Sequence, residues 1–234
     1  MKYGGSTASL AAVRFVDGSV LKTAVLSALP SRSISVELRE GLVFQMLEVL
    51  AQPRPNHWSR VWPTSVAISR WLLDQTVGSL PSTATELGCG MGLVSMTLAH
   101  LGLITEGTDR EPIALAFALK NALRNNLVGF SASRLEWSQG AGVPTSLLVA
   151  SDVIYEAGAP ELLFTLVETD GLLSPGGRLV LGVPHARTEL LDTFVDRLQL
   201  GGYSHSEGAH VVAWEGRDEA IDVHVLTRPG SARL

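Results

Sequence analysis

From residue 83 onward, short apolar strands alternate with helices, and this alternation limits the fold more than any other feature of the sequence. The strands are predicted at residues 83–87, 104–108, 131–137, 146–150 and 178–182. Helices are predicted between them, at residues 93–101, 112–125 and 161–172. This order predicts parallel strands joined by right-handed crossovers, because a parallel pair needs a long return connection over one face of the sheet.

Two further strands complete the predicted sheet near the end of the chain. Residues 211–214 and 221–227 follow a helix at 189–200, and the short turn between them predicts antiparallel pairing. The expected fold class is α/β: a doubly wound, mostly parallel, seven-stranded Rossmann-like sheet with an antiparallel C-terminal hairpin strand. Ligands of such sheets bind beyond the carboxyl ends of the strands, where the strand order reverses. Candidate functional residues are therefore those that follow each strand.

The first 55 residues follow a different pattern. Residues 34–38 alternate apolar and polar side chains, which predicts a strand. We expect residues 1–55 to form an N-terminal extension, a strand plus a helical segment, that packs on the core. Residues 51–56 contain two prolines and are typical of a loop. Residues 56–234 are then expected to form the ligand-binding domain.

Composition excludes several classes of protein. The net charge is −5, whereas a nucleic-acid-binding protein presents a basic surface to the phosphates. Cys89 is the single cysteine, so an intrachain disulfide framework is excluded. No apolar run reaches the roughly 18 residues that a membrane helix needs, and residues 1–5 do not begin a signal peptide. We therefore expect a cytoplasmic protein without nucleic-acid or membrane partners.

A glycine-rich turn follows the first strand of the alternating region. Residues 86–92 read Glu-Leu-Gly-Cys-Gly-Met-Gly, with glycines at Gly88, Gly90 and Gly92. Glycine permits a positive φ and a close approach of a ligand, and the next helix begins with free amides. A dinucleotide fingerprint needs its third glycine at the sixth position, which here is Leu93. The turn therefore disfavours a dinucleotide; a tight turn without any ligand is the alternative.

An acidic residue follows the second strand. Asp109 lies 19 residues beyond Gly90, where a carboxylate can accept hydrogen bonds from both ribose hydroxyls of an adenosine group. The alternative is a helix N-cap ahead of Pro112, and one carboxylate can serve both purposes. The glycine turn and the spaced acid together predict an adenosyl cofactor.

Aromatic residues supply two more candidates. Trp137 follows the third strand and is a candidate to pack against the adenine, with a core tryptophan as an equal alternative. Trp58 and Trp62 lie in a loop that leads into a helix predicted from Pro63, and two tryptophans in one loop indicate an aromatic wall around a ligand.

The polar segment after the fourth strand is the candidate transfer site. Ser151, Asp152 and Tyr155 follow the buried strand at 146–150, which we expect at the switch point of the sheet. Asp152 is a candidate to hold an amino group, and the Tyr155 ring attracts cations. The alternative is a capping aspartate and a surface tyrosine.

These motifs, in this order, resemble the seven-β-strand protein lysine methyltransferases, the methyltransferase-like 21 group of family 16. The resemblance covers about residues 55–228. The glycine turn is common to most class I methyltransferases. The narrower resemblance rests on Val-Trp-Pro at residues 61–63, Leu-Glu-Trp at 135–137 and Ser-Asp-Val-Ile-Tyr at 151–155.

The resemblance implies S-adenosyl-L-methionine as the cofactor and a protein lysine side chain as the methyl acceptor. It implies catalytic roles for Asp152 and Tyr155, and no metal. It implies cofactor binding by a second set: Trp62, Glu86, Gly88, Gly90, Gly92, Asp109, Trp137 and Ser151.

Two departures from the family pattern bear on the substrate. The third-strand motif of the family is often Leu-Asp-Trp, and here Glu136 stands in the middle position. No Asn-Pro-Pro-Tyr follows the fourth strand, which argues against methylation of amides and of the exocyclic adenine amine. Three other functions stay open: a small-molecule methyltransferase, a nucleotide-dependent oxidoreductase, which Leu93 disfavours, and a non-catalytic cofactor-binding interaction domain.

Overall fold

The computed structural model describes residues 12–14, 20–22, 29–50, 57–76, 78–140, 142–155 and 158–230. Its strands, in chain order, are β1 (Ala12–Arg14), β2 (Val20–Lys22), β3 (Ser31–Arg39), β4 (Leu42–Val49), β5 (Thr83–Leu87), β6 (Ile104–Asp109), β7 (Phe130–Arg134), β8 (Thr145–Ser151), β9 (Leu173–Pro184), β10 (Ser204–Trp214) and β11 (Arg217–Thr227). Its α-helices are α1 (Pro63–Leu73), α2 (Leu93–His100), α3 (Pro112–Arg124), α4 (Ala159–Phe164) and α5 (Glu189–Leu200). Short 3-10 turns lie at His57–Ser59, Trp137–Gln139 and His185–Arg187, and a π-helical turn lies at Thr165–Thr169.

Seven strands form the central sheet, in the order β10-β11-β9-β8-β5-β6-β7. The strands from β9 to β7 run parallel to one another, and β11 pairs antiparallel with both β9 and β10. The predicted mostly parallel sheet with an antiparallel C-terminal hairpin is confirmed. Strand order reverses between β5 and β8, so a ligand crevice is expected at the carboxyl ends of these two strands.

Strand β8 is buried on both faces of the sheet. Its Leu147 and Val149 join one core cluster, and its Leu148 and Ala150 join the other, since successive side chains of a strand point to opposite faces. Helices α1, α2 and α3 cover the first face, and α4 and α5 cover the second. An unbroken apolar run is what such a doubly covered strand requires.

Several predicted elements have other bounds in the structure, and two of them illustrate the reason. The third strand ends at Arg134, and Trp137 begins a 3-10 turn instead of closing the strand. The helix predicted at 161–172 is divided into α4 and the π-helical turn that follows it, and Gly171 beyond them has φ +70°. Both changes lie at element ends, where tertiary contacts decide the boundary more than local preference.

The N-terminal extension corrects one expectation. The described residues between 29 and 50 form an antiparallel β3–β4 hairpin, and Leu42–Val49 is a strand where a helical segment was expected. Gly41 in the turn has φ +77°, which favours a hairpin, and side chains along β4 alternate in exposure. Buried side chains of the hairpin, among them Val36, Phe44 and Met46, belong to the core cluster on the first face of the sheet. A boundary near residue 55 stays a prediction.

One buried carboxylate joins this hairpin to the loop before α1. Glu48 Oε1 accepts a hydrogen bond from the Val61 backbone N–H at 2.7 Å, and Glu48 Oε2 accepts one from Arg32 Nε at 2.8 Å. Glu48 is only 2% exposed, so its charge is stabilised by these partners rather than by water. The contact holds the start of the Val61-Trp62-Pro63 segment in place.

Asn121 of α3 and Asn125, the C-cap of that helix, hydrogen-bond the edge of β4 that does not pair with β3. Asn121 accepts from Leu47 N–H at 2.7 Å and donates to the carbonyl oxygens of Leu47 and Met91 at 3.2 and 2.9 Å. Asn125, one helical turn later, accepts from Gln45 N–H at 2.8 Å and donates to Gln45 O at 2.9 Å. The side chains thus replace a neighbouring strand, because each supplies the donor and acceptor that a strand edge needs.

We expect Asn121→Ala to lower the free energy of unfolding by about 2 kcal/mol, because it leaves the half-buried Leu47 N–H without an acceptor and removes the buried bond to the Met91 carbonyl oxygen. Asn125→Ala is the matched control: water can replace its exposed bonds, so the loss should be about 0.5–1 kcal/mol. Urea unfolding at one pH measures both. Equal losses of unfolding free energy in the two variants would show that the greater burial of the Asn121 hydrogen bonds does not add to stability.

No helix within the described residues has the length and apolar character needed to cross a membrane.

Candidate active site

The glycine turn at the end of β5 is closely packed from several sides. Gly88, Gly90 and Gly92 all have positive φ, at +65°, +50° and +87°. A Cβ atom at Gly92 would lie 2.8 Å from the Ala118 Cβ, and one at Gly90 would lie 3.3 Å from the Trp58 carbonyl oxygen. Glycine is therefore required at Gly92 for both conformation and space.

Glu86 precedes this turn and is fully buried. Its carboxylate accepts hydrogen bonds from the Ser95 backbone N–H at 2.7 Å and from the Ser95 hydroxyl. Ser95 lies in the first turn of α2, so the acid satisfies a free amide at the helix start. Burial raises the pKa of Glu86 to about 8, and the Ser95 bonds only partly offset this.

Asp109 ends β6 and receives two backbone amides. Its Oδ2 accepts from Gly90 N–H at 3.0 Å, and its Oδ1 accepts from Glu111 N–H at 2.9 Å. Burial raises the pKa of Asp109, and the two hydrogen bonds oppose that rise. The alternative role as N-cap of α3 is wrong, since Glu111 occupies that position and its side chain accepts from Ile113 N–H. Asp109 instead joins the glycine turn to the end of β6.

Asp152 follows β8 in an uncommon backbone conformation. Its φ is +55°, a strained value for a residue other than glycine and one that often accompanies function. Arg187, in the 3-10 turn after β9, donates to Asp152 Oδ1 and forms an ion pair with it. Burial raises the pKa of Asp152 to about 6, although the positive charge of Arg187 acts in the opposite direction.

Three aromatic rings lie beside this carboxylate. The His57 ring lies 4.7 Å from the Tyr155 ring and 6.3 Å from the Trp62 ring, measured between centroids. Trp62 Nε1 donates to the His57 carbonyl oxygen at 2.6 Å, which fixes the indole. The Arg60 guanidinium lies 5.0 Å from the Trp62 ring centroid. The loop tryptophan is therefore held on both sides before α1 begins.

All ten predicted site residues line a single cleft of about 520 Å³ at the carboxyl ends of the strands. This volume lies in the range of small-molecule sites. The shared lining is Trp62, Glu86, Gly88, Gly90, Gly92, Asp109, Trp137, Ser151, Asp152 and Tyr155. Trp137 is half-buried at one end, and the buried Ser151 Oγ has no hydrogen-bond partner among the described residues.

Sequence reasoning missed His57 and Arg187, which also line the cleft. Arg187 follows β9, so the rule that functional residues follow strands applies to it, but the strand was predicted to end at residue 182 and runs to Pro184. His57 had no such signal, because its contact with Tyr155 joins residues far apart in the chain.

The family of the chain is shown by comparison with known families. A family model described as lysine methyltransferase matches residues 46–200. The chain belongs to this lysine methyltransferase family. The match begins within β4 and continues to the end of α5. It therefore includes every residue that lines the cleft.

Two curated relatives carry names consistent with this family. The protein N-lysine methyltransferase METTL21A of Danio rerio is 32% identical over 148 residues, which is 59% of this chain and 66% of the relative. The electron transfer flavoprotein beta subunit lysine methyltransferase of Xenopus laevis is 29% identical over 132 residues, 55% of this chain and 52% of the relative. The matched regions thus span between about half and just under two thirds of these relatives.

Solved structures agree on the fold. A magnesium protoporphyrin IX methyltransferase from Synechocystis PCC 6803, crystallised with bound SAM, aligns with a TM-score of 0.53 over 70% of this chain and 78% of that chain. Its sequence is only 20% identical to that of the present chain, so the similarity concerns the fold alone.

Proposed function

We propose that the protein is an S-adenosyl-L-methionine-dependent methyltransferase whose acceptor is a lysine side-chain amine of another protein. The observation that carries the proposal is the cleft itself, in which the glycine turn, Asp109 and Asp152 meet at the switch point of the sheet. Membership of the lysine methyltransferase family over residues 46–200 supports the acceptor class. A cytoplasmic location stays a prediction from the sequence.

The cleft residues suit the proposed cofactor. Gly88 and Gly90 have positive φ and form a tight turn. Because neither residue has a side chain, a ligand can approach the backbone of this turn closely. Asp109 retains acceptor capacity beyond its two amide bonds, because a carboxylate has about four lone-pair directions. The buried Ser151 Oγ has no hydrogen-bond partner within the part of the chain that the structure describes, and a polar group of the bound cofactor could supply one.

We assign cofactor roles by position along the cleft. Asp109 would accept from the ribose hydroxyls, and Trp137 would pack against the adenine. Glu86 supports the methionine end through Ser95, because its buried carboxyl group fixes the start of α2 beside the glycine turn. Trp62 closes the same end from the opposite loop, and its ring attracts a sulfonium charge.

We assign the transfer end to Asp152 and Tyr155. A pKa of about 6 leaves the Asp152 carboxylate mostly ionised at neutral pH, so it can hold a cationic amine. An incoming amine competes with Arg187 for this carboxylate, and Arg187 thereby sets how readily it is available. The rings of Tyr155 and His57 form the wall beside it, where a π-face favours a cation.

The bound cofactor supplies an electrophilic methyl group, which a neutral amine can accept. Free lysine has a pKa of about 10.4, so the amine must lose its proton before transfer. Pairing with Asp152 favours the protonated amine, and we therefore assign that carboxylate to orientation rather than to strong base catalysis. The main contribution of the protein is to align the amine with the methyl group.

A second cleft of about 500 Å³ adjoins the first and offers a path for the acceptor. The two clefts share Arg60, Trp62, Asp152 and Arg187, so a chain lying in one can reach the other. Two buried donors in the second cleft, Arg60 Nε and Trp214 Nε1, have no acceptor among the described residues. A cleft of this size beside Asp152 has room for an extended substrate segment, which favours a protein acceptor.

The role of Asp152 predicts a specific pH profile. Below the pKa of the lysine amine, the neutral fraction of that amine falls tenfold for each pH unit. The logarithm of kcat/KM should therefore rise with slope one between pH 6 and 8 in wild type. Below about pH 6 the Asp152 carboxylate also becomes protonated, and the slope should approach two. Asp152→Asn should be about 10-fold slower or more at pH 8 and keep slope one throughout.

The cofactor affinity of the Asp152→Asn variant distinguishes a role of Asp152 in methyl transfer from a role in cofactor binding. Asp152→Asn should change the S-adenosylmethionine Kd by less than about threefold, and Tyr155→Phe should likewise slow transfer more than it weakens binding. The exposed Asp196 on α5 is outside the cleft, so Asp196→Asn should match wild type. A steepened low-pH slope in Asp152→Asn, or equal losses in rate and affinity, would contradict the assignment.

The proposed function is tested by incubating the purified protein with S-adenosylmethionine labelled in the methyl group and a cell lysate. We expect label in a protein band, recovered on lysine after hydrolysis. Label confined to small molecules would overturn the protein acceptor and support a small-molecule methyltransferase. Cofactor binding without any transfer would support the non-catalytic interaction domain instead.

A further inference from the structure

A cluster of two histidines and a glutamate lies on the C-terminal hairpin, outside the cleft. His205 and Glu207 are two residues apart on β10, so their side chains share a face. His224 lies directly across from Glu207 on β11 in the antiparallel register. One ligand atom of each of the three residues lies within 4.8 Å of the others.

The distances suit a tetrahedral ion. His205 Nε2 lies 3.1 Å from His224 Nδ1, and that Nδ1 lies 3.5 Å from Glu207 Oε2. Zinc–nitrogen bonds of about 2.0–2.1 Å give a tetrahedron whose edges are about 3.3 Å. The two separations at His224 are close to that edge, and the His205 and Glu207 ligand atoms lie within 4.8 Å of each other.

Burial and charge also suit a cation. His224 is only 3% exposed, so packing around the hairpin holds its imidazole in place for an ion. The Glu207 carboxylate oxygen lies 3.5 Å from His224 Nδ1 and places a negative charge beside the two imidazoles. Glu207 is mostly exposed, which leaves the cluster an entry from solvent.

We propose that His205, Glu207 and His224 bind a divalent transition-metal ion, zinc being the best match to two imidazoles and one carboxylate. Three protein ligands leave the fourth position for water. β10 is the edge strand of the sheet, and the ion would join it to β11 through side chains in addition to the backbone ladder. The site is independent of the proposed methyl transfer.

A direct hydrogen bond between the two histidines is the competing explanation. Their rings are parallel to within 7°, with centroids 5.3 Å apart, so one ring nitrogen can donate to the other. Binding an ion would replace this bond and turn the half-buried His205 ring toward the shared position. The hydrogen bond and the ion thus predict different responses to zinc.

Isothermal titration of the tag-free chain with zinc chloride, in a buffer that does not bind zinc, distinguishes them. We expect one ion per chain with a Kd of about 10 µM or tighter. His205→Ala and Glu207→Gln, both at accessible positions, should weaken binding tenfold or more. His210→Ala, also on β10 but outside the cluster, is the matched control and should bind as wild type does.

Thermal unfolding supplies a second measurement. An ion bound to the folded chain raises the midpoint temperature, so zinc should raise it for wild type and His210→Ala but not for His205→Ala. A wild-type Kd above about 10 µM, or equal affinity in wild type and His205→Ala, would overturn the site and leave the hydrogen bond as the full explanation. Neither outcome bears on methyl transfer.

Discussion

Replacing Asp109 with alanine is expected to weaken S-adenosylmethionine binding ~100-fold or more. Two hydrogen bonds from ribose hydroxyls to a carboxylate are worth about 1.5–3 kcal/mol each, and the variant removes both. It also removes the acceptor of Gly90 N–H, so the glycine turn loses its link to the end of β6. Isothermal titration calorimetry with the purified cofactor measures the change.

The fold should survive this substitution, and that separates a binding defect from unfolding. The circular dichroism spectrum of Asp109→Ala should match wild type, while the exposed Asp218→Ala should keep full affinity. An affinity within a factor of about three of wild type would refute the ribose role, because the lost bonds alone exceed that amount.

Replacing Gly92 with alanine is expected to lower the free energy of unfolding by about 3–4 kcal/mol. The residue has φ +87°, and an L side chain there costs about 1–2 kcal/mol. The new Cβ would also lie 2.8 Å from the Ala118 Cβ and 3.0 Å from its Cα, and forcing α2 and α3 apart costs about 1–3 kcal/mol more.

Gly102 provides a control with the same backbone and no collision. Its φ is +88°, and nothing lies within 4 Å of the position its Cβ would take. Gly102→Ala should therefore cost only the conformational part, about 1–2 kcal/mol. Urea unfolding of both variants isolates the packing contribution as the difference. Equal losses would mean that the contact with Ala118 relaxes freely.

The strand-end rule explains how much of the site was predictable. Asp109 is the last residue of the parallel strand β6 and Asp152 directly follows β8, so the positions of both depend on the sheet and are visible in the sequence. The position of Arg187 was not predicted, because β9 extends to Pro184, two residues beyond the predicted end of the strand. His57 depends on the loop before α1 lying against Tyr155, a contact that no local pattern encodes.

The extension was less predictable for a different reason. Residues 42–49 contain apolar side chains at spacings compatible with either a helix or a strand. The strand is favoured because β3 pairs with one edge and Asn121 and Asn125 satisfy the other. These asparagines lie more than seventy residues away, so the deciding contacts are tertiary.

The sequence alone determined the alternation of strands and helices, the sheet class and the residues of the glycine turn, because these follow from side-chain periodicity and from the conformations that glycine permits. Tertiary structure decided the pairing of Asp152 with Arg187 and the raised pKa values of Glu86 and Asp152. Charge pairing and desolvation depend on which distant segments exclude water from a side chain, and that is settled only when the chain is folded.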